Sequence, residues 1–226
     1  MSFGLSRRTP DDLHGWSLEL EDLPAWEGAV FDPRTLFANP ERRFELEIGS
    51  GKGTFLVQQG SMQSDTNFLG IEWAGEFQRY AADRARRHSL ENVRVLRDDA
   101  SEFLSHRCIS DSIDVIHLYF TDPWPKKRHH KRRLVQHATM RHMHRVLKAA
   151  GQVHLVTDHA DLWEWYELHV AGASELFTRG PFVSPASAGH EEVVGTNFER
   201  KYRREGRAFH AMTLTRIDDV ERSDAS

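Results

Sequence analysis

The chain has 226 residues, enough for one large domain or two small ones with a buried core, which excludes a disulfide-stapled miniprotein. Charged residues make up 28% and hydrophobic ones 39%, but 13 Phe and 6 Trp remain for burial, so a folded, soluble chain is expected rather than a disordered one. Its net charge of −4 speaks against a nucleic-acid partner for the chain as a whole, and no apolar run approaches the ~18 residues of a membrane span.

Arg7 and Arg8 have no apolar stretch behind them, as a secretory signal would require, and the single Cys108 permits no internal disulfide. Both observations predict a cytoplasmic protein. Residues 1–42 hold Pro10, Pro24, Pro33 and Pro40 with poor apolar periodicity, and are expected to be an extended arm with short helical turns. Residues 43–217 then alternate strand and helix, and 218–226 form an acidic tail.

The alternation begins with Phe44, Leu46 and Ile48, a strand that runs into a glycine-rich turn, Gly49 to Gly53, and a helix from Thr54 to Gln59. Glycines at a strand end let backbone approach a ligand, and the helix start behind them favours an anionic group. A phosphate-binding P-loop needs a glycine where Leu46 stands, and the dinucleotide fingerprint needs one where Thr54 stands, so neither applies. What remains is Gly-x-Gly-x-Gly behind Glu47. A second strand, Phe68 to Glu72, ends on an acid where a carboxylate meets ribose hydroxyls in nucleotide-binding folds.

A helix carrying Phe77, Tyr80, Ala81 and Ala85 follows, then a third strand, Val93 to Leu96. Asp98 and Asp99 close that strand, either as acceptors for an adenine amino group or as an ordinary start for the short helix near Ser101 to Leu104. Ile113 to Phe120 is the fourth strand. Behind it comes Thr121-Asp122-Pro123-Trp124-Pro125 and then six Lys or Arg within Lys126 to Arg133. An acid at a strand end, a Trp between two stiffening prolines and a basic run suit an RNA base and its phosphates better than a plain turn.

From Pro123 to Thr157 there are nine Lys or Arg and no Asp or Glu. Such a stripe on an acidic body is either a phosphate-backbone surface or a solvated helix face, and the missing acids favour the former. Leu134 to Leu147 is a helical face expected to close at Gly151, Val153 to Thr157 the fifth strand, Asp161 to Ala171 a helix, and Phe209 to Ile217 the last strand. Residues 179–195 are too irregular for a core element and form either a mobile lid or a passive loop. The alternation implies one domain with a doubly wound, parallel sheet that binds ligands at the strands' carboxyl ends. Fourteen His include no His-Glu-x-x-His, so no metal is expected, and Cys108 is expected to be packing.

Glu-Ile-Gly-Ser-Gly-Lys-Gly at 47–53, Gly-Ile-Glu at 70–72, Asp-Ala at 99–100, Asp-Pro-Trp-Pro-Lys-Lys-Arg-His at 122–129, Thr-Asp at 157–158 and Thr-Asn-Phe-Glu at 196–199 resemble the tRNA (guanine-N7-)-methyltransferase family, in order, from about residue 43 to 210. The resemblance implies a Rossmann-like class I methyltransferase fold, doubly wound and mostly parallel with helices on both faces. It further implies S-adenosyl-L-methionine as cofactor, tRNA as substrate and methylation of guanosine 46 in the variable loop, by a monomer or homodimer. By the same resemblance Glu47, Gly49, Gly51, Glu72, Asp99 and Asp122 hold the cofactor, and Asp122 is the catalytic residue. Lys126, Asp158, Thr196, Asn197, Phe198 and Glu199 meet the tRNA. The family usually has Pro at the place of Thr121 and often Lys at that of Asn197. Two rivals are an exocyclic amino methyltransferase and a non-catalytic tRNA-binding protein. The first needs Pro and an aromatic residue where Trp124 and Pro125 stand.

Overall fold

The computed structural model describes residues 12–24 and 30–218, so residues 1–11 and 25–29 of the proposed arm, and the tail beyond Asp218, lie outside the described residues. Strands β1 (Ser17–Leu18), β2 (Arg43–Ile48), β3 (Thr66–Ile71), β4 (Val93–Leu96), β5 (Ile113–Tyr119), β6 (Leu147–Thr157), β7 (Phe177–Gly180) and β8 (His210–Arg216) form one sheet in the order β1-β4-β3-β2-β5-β6-β8-β7. Pairings up to β6 are parallel, while β8 runs antiparallel to β6 and β7. The chain therefore departs from an all-parallel sheet at one edge. Its order reverses at β2, which pairs with β3 on one side and β5 on the other, and the crevice at such a reversal is where doubly wound sheets bind ligands.

Helices α1 (Thr54–Met62), α2 (Gly75–Arg87), α3 (Ala100–Glu102), α4 (His137–Val146), α5 (Ala160–Ala171) and α6 (Asn197–Arg204) complete the fold. One sheet face buries Leu46, Ile48, Ile116, Leu118 and Leu155 with Met140, Met143, Leu162 and Tyr166 of α4 and α5. The other buries Phe68, Val93 and Val95 with Leu56 and Val57 of α1 and Ala81, Ala82 and Ala85 of α2. Gly53 makes the tight approach between α1 and α2: a Cβ there would lie 2.7 Å from the Ala81 Cβ. A single glycine, one residue earlier than the dinucleotide pattern would put it, thus does the close-packing job.

Gly151 does not end a helix. α4 stops at Val146, the Leu147 N–H bonds back to the Met143 carbonyl, and Leu147 pairs at once with Ile113. The chain bulges before pairing resumes at Gln152, with Ala150 at φ +55°, so Gly151 sits within β6. β1, β7 and α6 were not anticipated by the periodicity, because two, four and eight residues are too short to show one. Among the described residues, no helix is long and apolar enough to cross a membrane.

Candidate active site

The carboxyl ends of β2, β3, β4 and β5 surround a cavity of two chambers, about 220 and 420 Å³, which share Gly49, Gly51, Phe77, Phe120 and Phe198. Glu47, the second-last residue of β2, forms the floor of the smaller chamber. It is buried, its Oε2 has no hydrogen-bond partner, and the neighbouring Ser50 Oγ is likewise unpartnered. Burial raises the Glu47 carboxyl well above the usual carboxylate range, and the charge of Glu72 adds to the effect. An orphaned buried acid costs stability unless a ligand meets it.

Gly49 (φ +76°) and Gly51 (φ +51°) turn the chain above this floor through a conformation that side chains rarely adopt, which leaves the cavity wall as bare backbone. Glu72, at the end of β3, accepts hydrogen bonds from the N–H groups of Gly51 (2.8 Å) and Ala74 (2.9 Å), fixing the turn to its neighbour strand. Asp99 caps α3, accepting from the Ser101 N–H at 2.8 Å, and it also lines the larger chamber, so the two readings of this acid coexist. Asp98 is buried and tied to Arg107 at 2.8 Å. Burial raises its carboxyl despite that partner.

Asp122 stands on the loop after β5, exposed, on the wall of the larger chamber with Thr121, Trp124 and Arg132. Positive φ values at Phe120 (+54°) and Trp124 (+44°) bend this loop, and three contacts hold it. Thr121 shares a hydrogen bond with the Tyr166 hydroxyl at 2.9 Å, the Arg133 Nε donates to the Pro123 carbonyl at 2.9 Å, and Arg133 also pairs with Asp161. Arg132 lies over the Trp124 ring at 4.8 Å, so one indole face is already covered.

The basic stripe divides. Lys126, Lys127, Arg128, Lys131 and Arg132 are exposed beside the cavity mouth, on and before a tight 3-10 turn, Lys127–Arg132. Arg133 is 2% exposed, Arg145 binds the carbonyls of Leu104 and Cys108, and Lys148 pairs with Asp114. Those three are structural.

Thr196, Asn197 and Phe198 line the smaller chamber, and Phe198 is 44% exposed there. Glu199 is fully buried instead: it accepts from the N–H groups of Val193, Val194 and Gly195 and pairs with Arg203. It thereby ties the 181–195 segment to α6, and Gln59 donates to Ser187 from α1 at 2.6 Å. Asp158 accepts from Arg207 at 2.5 Å, outside both chambers. Sequence reasoning missed α6 itself, although Thr196 with Glu199 three residues on is a helix-start signature, and the Glu199 N–H does bond the Thr196 hydroxyl. It also missed a buried polar row leading to the smaller chamber, where Glu45 bonds His117 (2.8 Å) and His117 the Tyr119 hydroxyl (2.7 Å), with the exposed Arg43 pairing with Glu45 from outside.

The residues fit S-adenosylmethionine. Glu47 offers an unengaged acid to its ammonium group, the glycine turn offers bare backbone, and Glu72 and Asp99 stand where ribose and adenine would lie. Residues 41–212 match the family described as "Putative methyltransferase". The chain is 35% identical over 201 residues to a tRNA (guanine-N(7)-)-methyltransferase of Rhodopirellula baltica, covering 86% of this chain and 72% of that one. The chain belongs to the tRNA (guanine-N7-)-methyltransferase family. A second relative of that description, from Halorhodospira halophila, is 36% identical over 84% of this chain and 80% of its own. The fold is similar to that of a SAM dependent methyltransferase from Aquifex aeolicus (TM-score 0.52, 16% identity, covering 87% of this chain and 94% of that one). It is also similar to the aminoglycoside resistance methyltransferase NpmB1 (TM-score 0.50, 18% identity, covering 78% and 88%).

Proposed function

We propose that this methyltransferase transfers a methyl group from S-adenosylmethionine to N7 of guanosine 46 in the variable loop of tRNA. The observation that carries the reading is one cavity with an orphaned buried acid, Glu47, at its floor and an exposed acid, Asp122, beside a basic loop at its mouth. Glu47, Gly49, Gly51, Glu72 and Asp99 hold the cofactor, which when bound supplies an electrophilic sulfonium methyl.

Guanine N7 carries a lone pair and no proton, so attack on that methyl needs no general base. The work left to the protein is alignment and electrostatics. Asp122 accepts hydrogen bonds from the donor edge of guanine, which turns N7 inward, and its charge offsets the positive charge that the base acquires. Phe198, exposed at the junction of the chambers, gives the base an apolar face. The exposed cations from Lys126 to Arg132 meet phosphates near the mouth, while Thr196 and Asn197 line the smaller chamber and Glu199 shapes it through its hold on residues 193–195; Asp158, engaged by Arg207, stands outside it. Incubation with labelled cofactor and unfractionated tRNA, followed by chain cleavage specific for 7-methylguanosine, tests the reading. The label is expected in that nucleoside at position 46. Label on an exocyclic amino group, or tRNA binding without methyl transfer, would overturn it.

A further inference from the structure

Tyr119, the last residue of β5, lines the smaller chamber together with Glu47, yet its hydroxyl is committed elsewhere. The register pairs Glu47 with His117 on neighbouring strands, and the Tyr119 hydroxyl reaches back to that level, 2.7 Å from His117 Nδ1 and 3.5 Å from His154 Nδ1. Burial, then the charges of Glu47 and Glu45, push the Tyr119 pKa well up, so the hydroxyl keeps its proton and needs an acceptor for it.

Both histidines are set to receive that proton. Burial would raise Glu45, but the hydrogen bond and charge of His117 hold it down to about 2, so at neutral pH it is a carboxylate. It accepts from His117 Nε2 at 2.8 Å, which leaves Nδ1 of the neutral ring as an acceptor. His154 is pushed down to about 3 by burial, and its Nε2 meets the Gln152 Oε1 at 3.2 Å, so its Nδ1 is an acceptor as well. Phe55 packs on this group, its ring 4.6 Å from that of His117 and 5.1 Å from that of Tyr119. Glu47 Oε2, in the same chamber, is left without a partner.

Resting on the placement of the cofactor's ammonium group at Glu47, we infer that His117 and Glu45 are positioning residues, which draw the Tyr119 hydroxyl away from Glu47 and keep that carboxylate open for the ammonium. A buried acid beside a hydroxyl would otherwise take its proton in a hydrogen bond. The ligand would then have to break that bond on entry.

The test is S-adenosylhomocysteine affinity, measured calorimetrically, for the parent chain, His117→Leu, His117→Gln, Tyr119→Phe and His117→Leu with Tyr119→Phe. His117→Leu frees the hydroxyl for Glu47 and should weaken binding about tenfold or more, the scale of one hydrogen bond to a charged group. His117→Gln offers an amide N–H to Glu45 and a carbonyl to Tyr119, and should restore most of the loss. Tyr119→Phe should bind within about twofold of the parent, and should return the affinity of His117→Leu, because no hydroxyl is left to compete. Glu45→Gln, which lets the His117 proton move to Nδ1, repeats the cycle by a milder change where His117→Leu does not fold. A loss that persists without the Tyr119 hydroxyl makes His117 merely structural and overturns the inference, as does unaltered affinity in His117→Leu. Weaker binding by Tyr119→Phe alone makes Tyr119 itself a ligand contact and also overturns it. If Glu47→Gln binds as the parent does, the cofactor placement fails and the inference with it. If Glu47→Gln binds more weakly and the His117 cycle is flat, only the positioning role fails.

Discussion

The carboxylate of Glu72 bonds the backbone N–H of Gly51 at 2.8 Å, so the acid that ends β3 holds the glycine turn that ends β2. The same side chain that awaits ribose hydroxyls also shapes the loop under the cofactor. Glu72→Ala removes both functions, whereas Glu72→Gln keeps one acceptor oxygen for the turn. A hydrogen bond to a charged group contributes roughly 1.5–3 kcal/mol, so Glu72→Ala should weaken S-adenosylhomocysteine binding by about 10- to 150-fold in a calorimetric titration. Glu72→Gln should lose less. Equal affinity for all three chains would remove Glu72 from the cofactor site.

Glu47 should trade stability for binding. Its carboxyl is raised by burial and by Glu72, so the folded chain holds its proton more tightly than the unfolded one does. The resulting penalty is absent below the unfolded value near 4.5 and grows as pH rises above it. Glu47→Gln should therefore melt higher than the parent at pH 7 and alike at pH 4, while binding S-adenosylhomocysteine more weakly. Melting curves across that range together with calorimetry check both halves; a variant that melts lower at pH 7 contradicts the cause assigned to the shift.

The Glu45–His117 pair behaves oppositely. Burial would raise Glu45, but the hydrogen bond and charge of His117, then Arg43, hold it down to about 2. A depressed carboxyl contributes stability above its unfolded value and loses it as pH falls through the folded one, here between about pH 5 and pH 2. Gln mimics the protonated acid. Glu45→Gln should thus cost about 3 kcal/mol at neutral pH and almost nothing near pH 2, read as convergence of the two denaturation midpoints. A constant gap would mean that packing, and not charge, accounts for the loss.

Arg133 and its neighbours Lys131 and Arg132 should separate by phenotype. Arg133 is buried against Trp165 and holds the Pro123 carbonyl, so Arg133→Gln should lower the melting temperature by roughly 3–10 °C, about 2–4 °C per kcal/mol for a chain of this size. Lys131→Gln with Arg132→Gln should leave melting nearly unchanged and flatten the salt dependence of tRNA binding by about two slope units. A salt effect for Arg133→Gln without a change in melting would reverse this division.

The sequence made the framework legible where long periodic segments alternate: β2, α1, β3, α2, β4, β5 and α5 all lie where Phe44, Leu46 and Ile48 and their successors predict them. Glu47, Glu72, Asp99 and Asp122 converge because each ends a strand of a parallel sheet, a placement that spacing alone conveys. Burial is not conveyed by spacing. Nothing in a run of charges distinguishes Arg133, buried against Trp165, from Arg132, which stays exposed over Trp124, and nothing local to Glu199 reveals that three backbone N–H groups close on it. Such roles depend on partners distant along the chain.

Asp122 decides whether the site is catalytic or only receptive. It stands exposed at the cavity wall on a loop fixed independently of it, through Thr121, Pro123 and Arg133. Asp122→Asn keeps the shape and removes the charge, so melting temperature should hold. If the carboxylate aligns guanine and offsets the developing cationic charge, single-turnover methylation should slow by about 10²-fold or more, the scale of losing one preorganised electrostatic group. Affinity for tRNA should barely change, because the proposed phosphate contacts lie on the basic loop, residues 126–132, and cofactor affinity should change less than the rate. A damaged turn would instead depress melting and both affinities together. The companion substrate is tRNA with 7-deazaguanosine at the target, which lacks the attacking nitrogen; it should bind normally and accept no methyl group. An Asp122→Asn chain reacting at the parent rate ends the catalytic assignment, and methylation of the deaza substrate shows that N7 is not the acceptor.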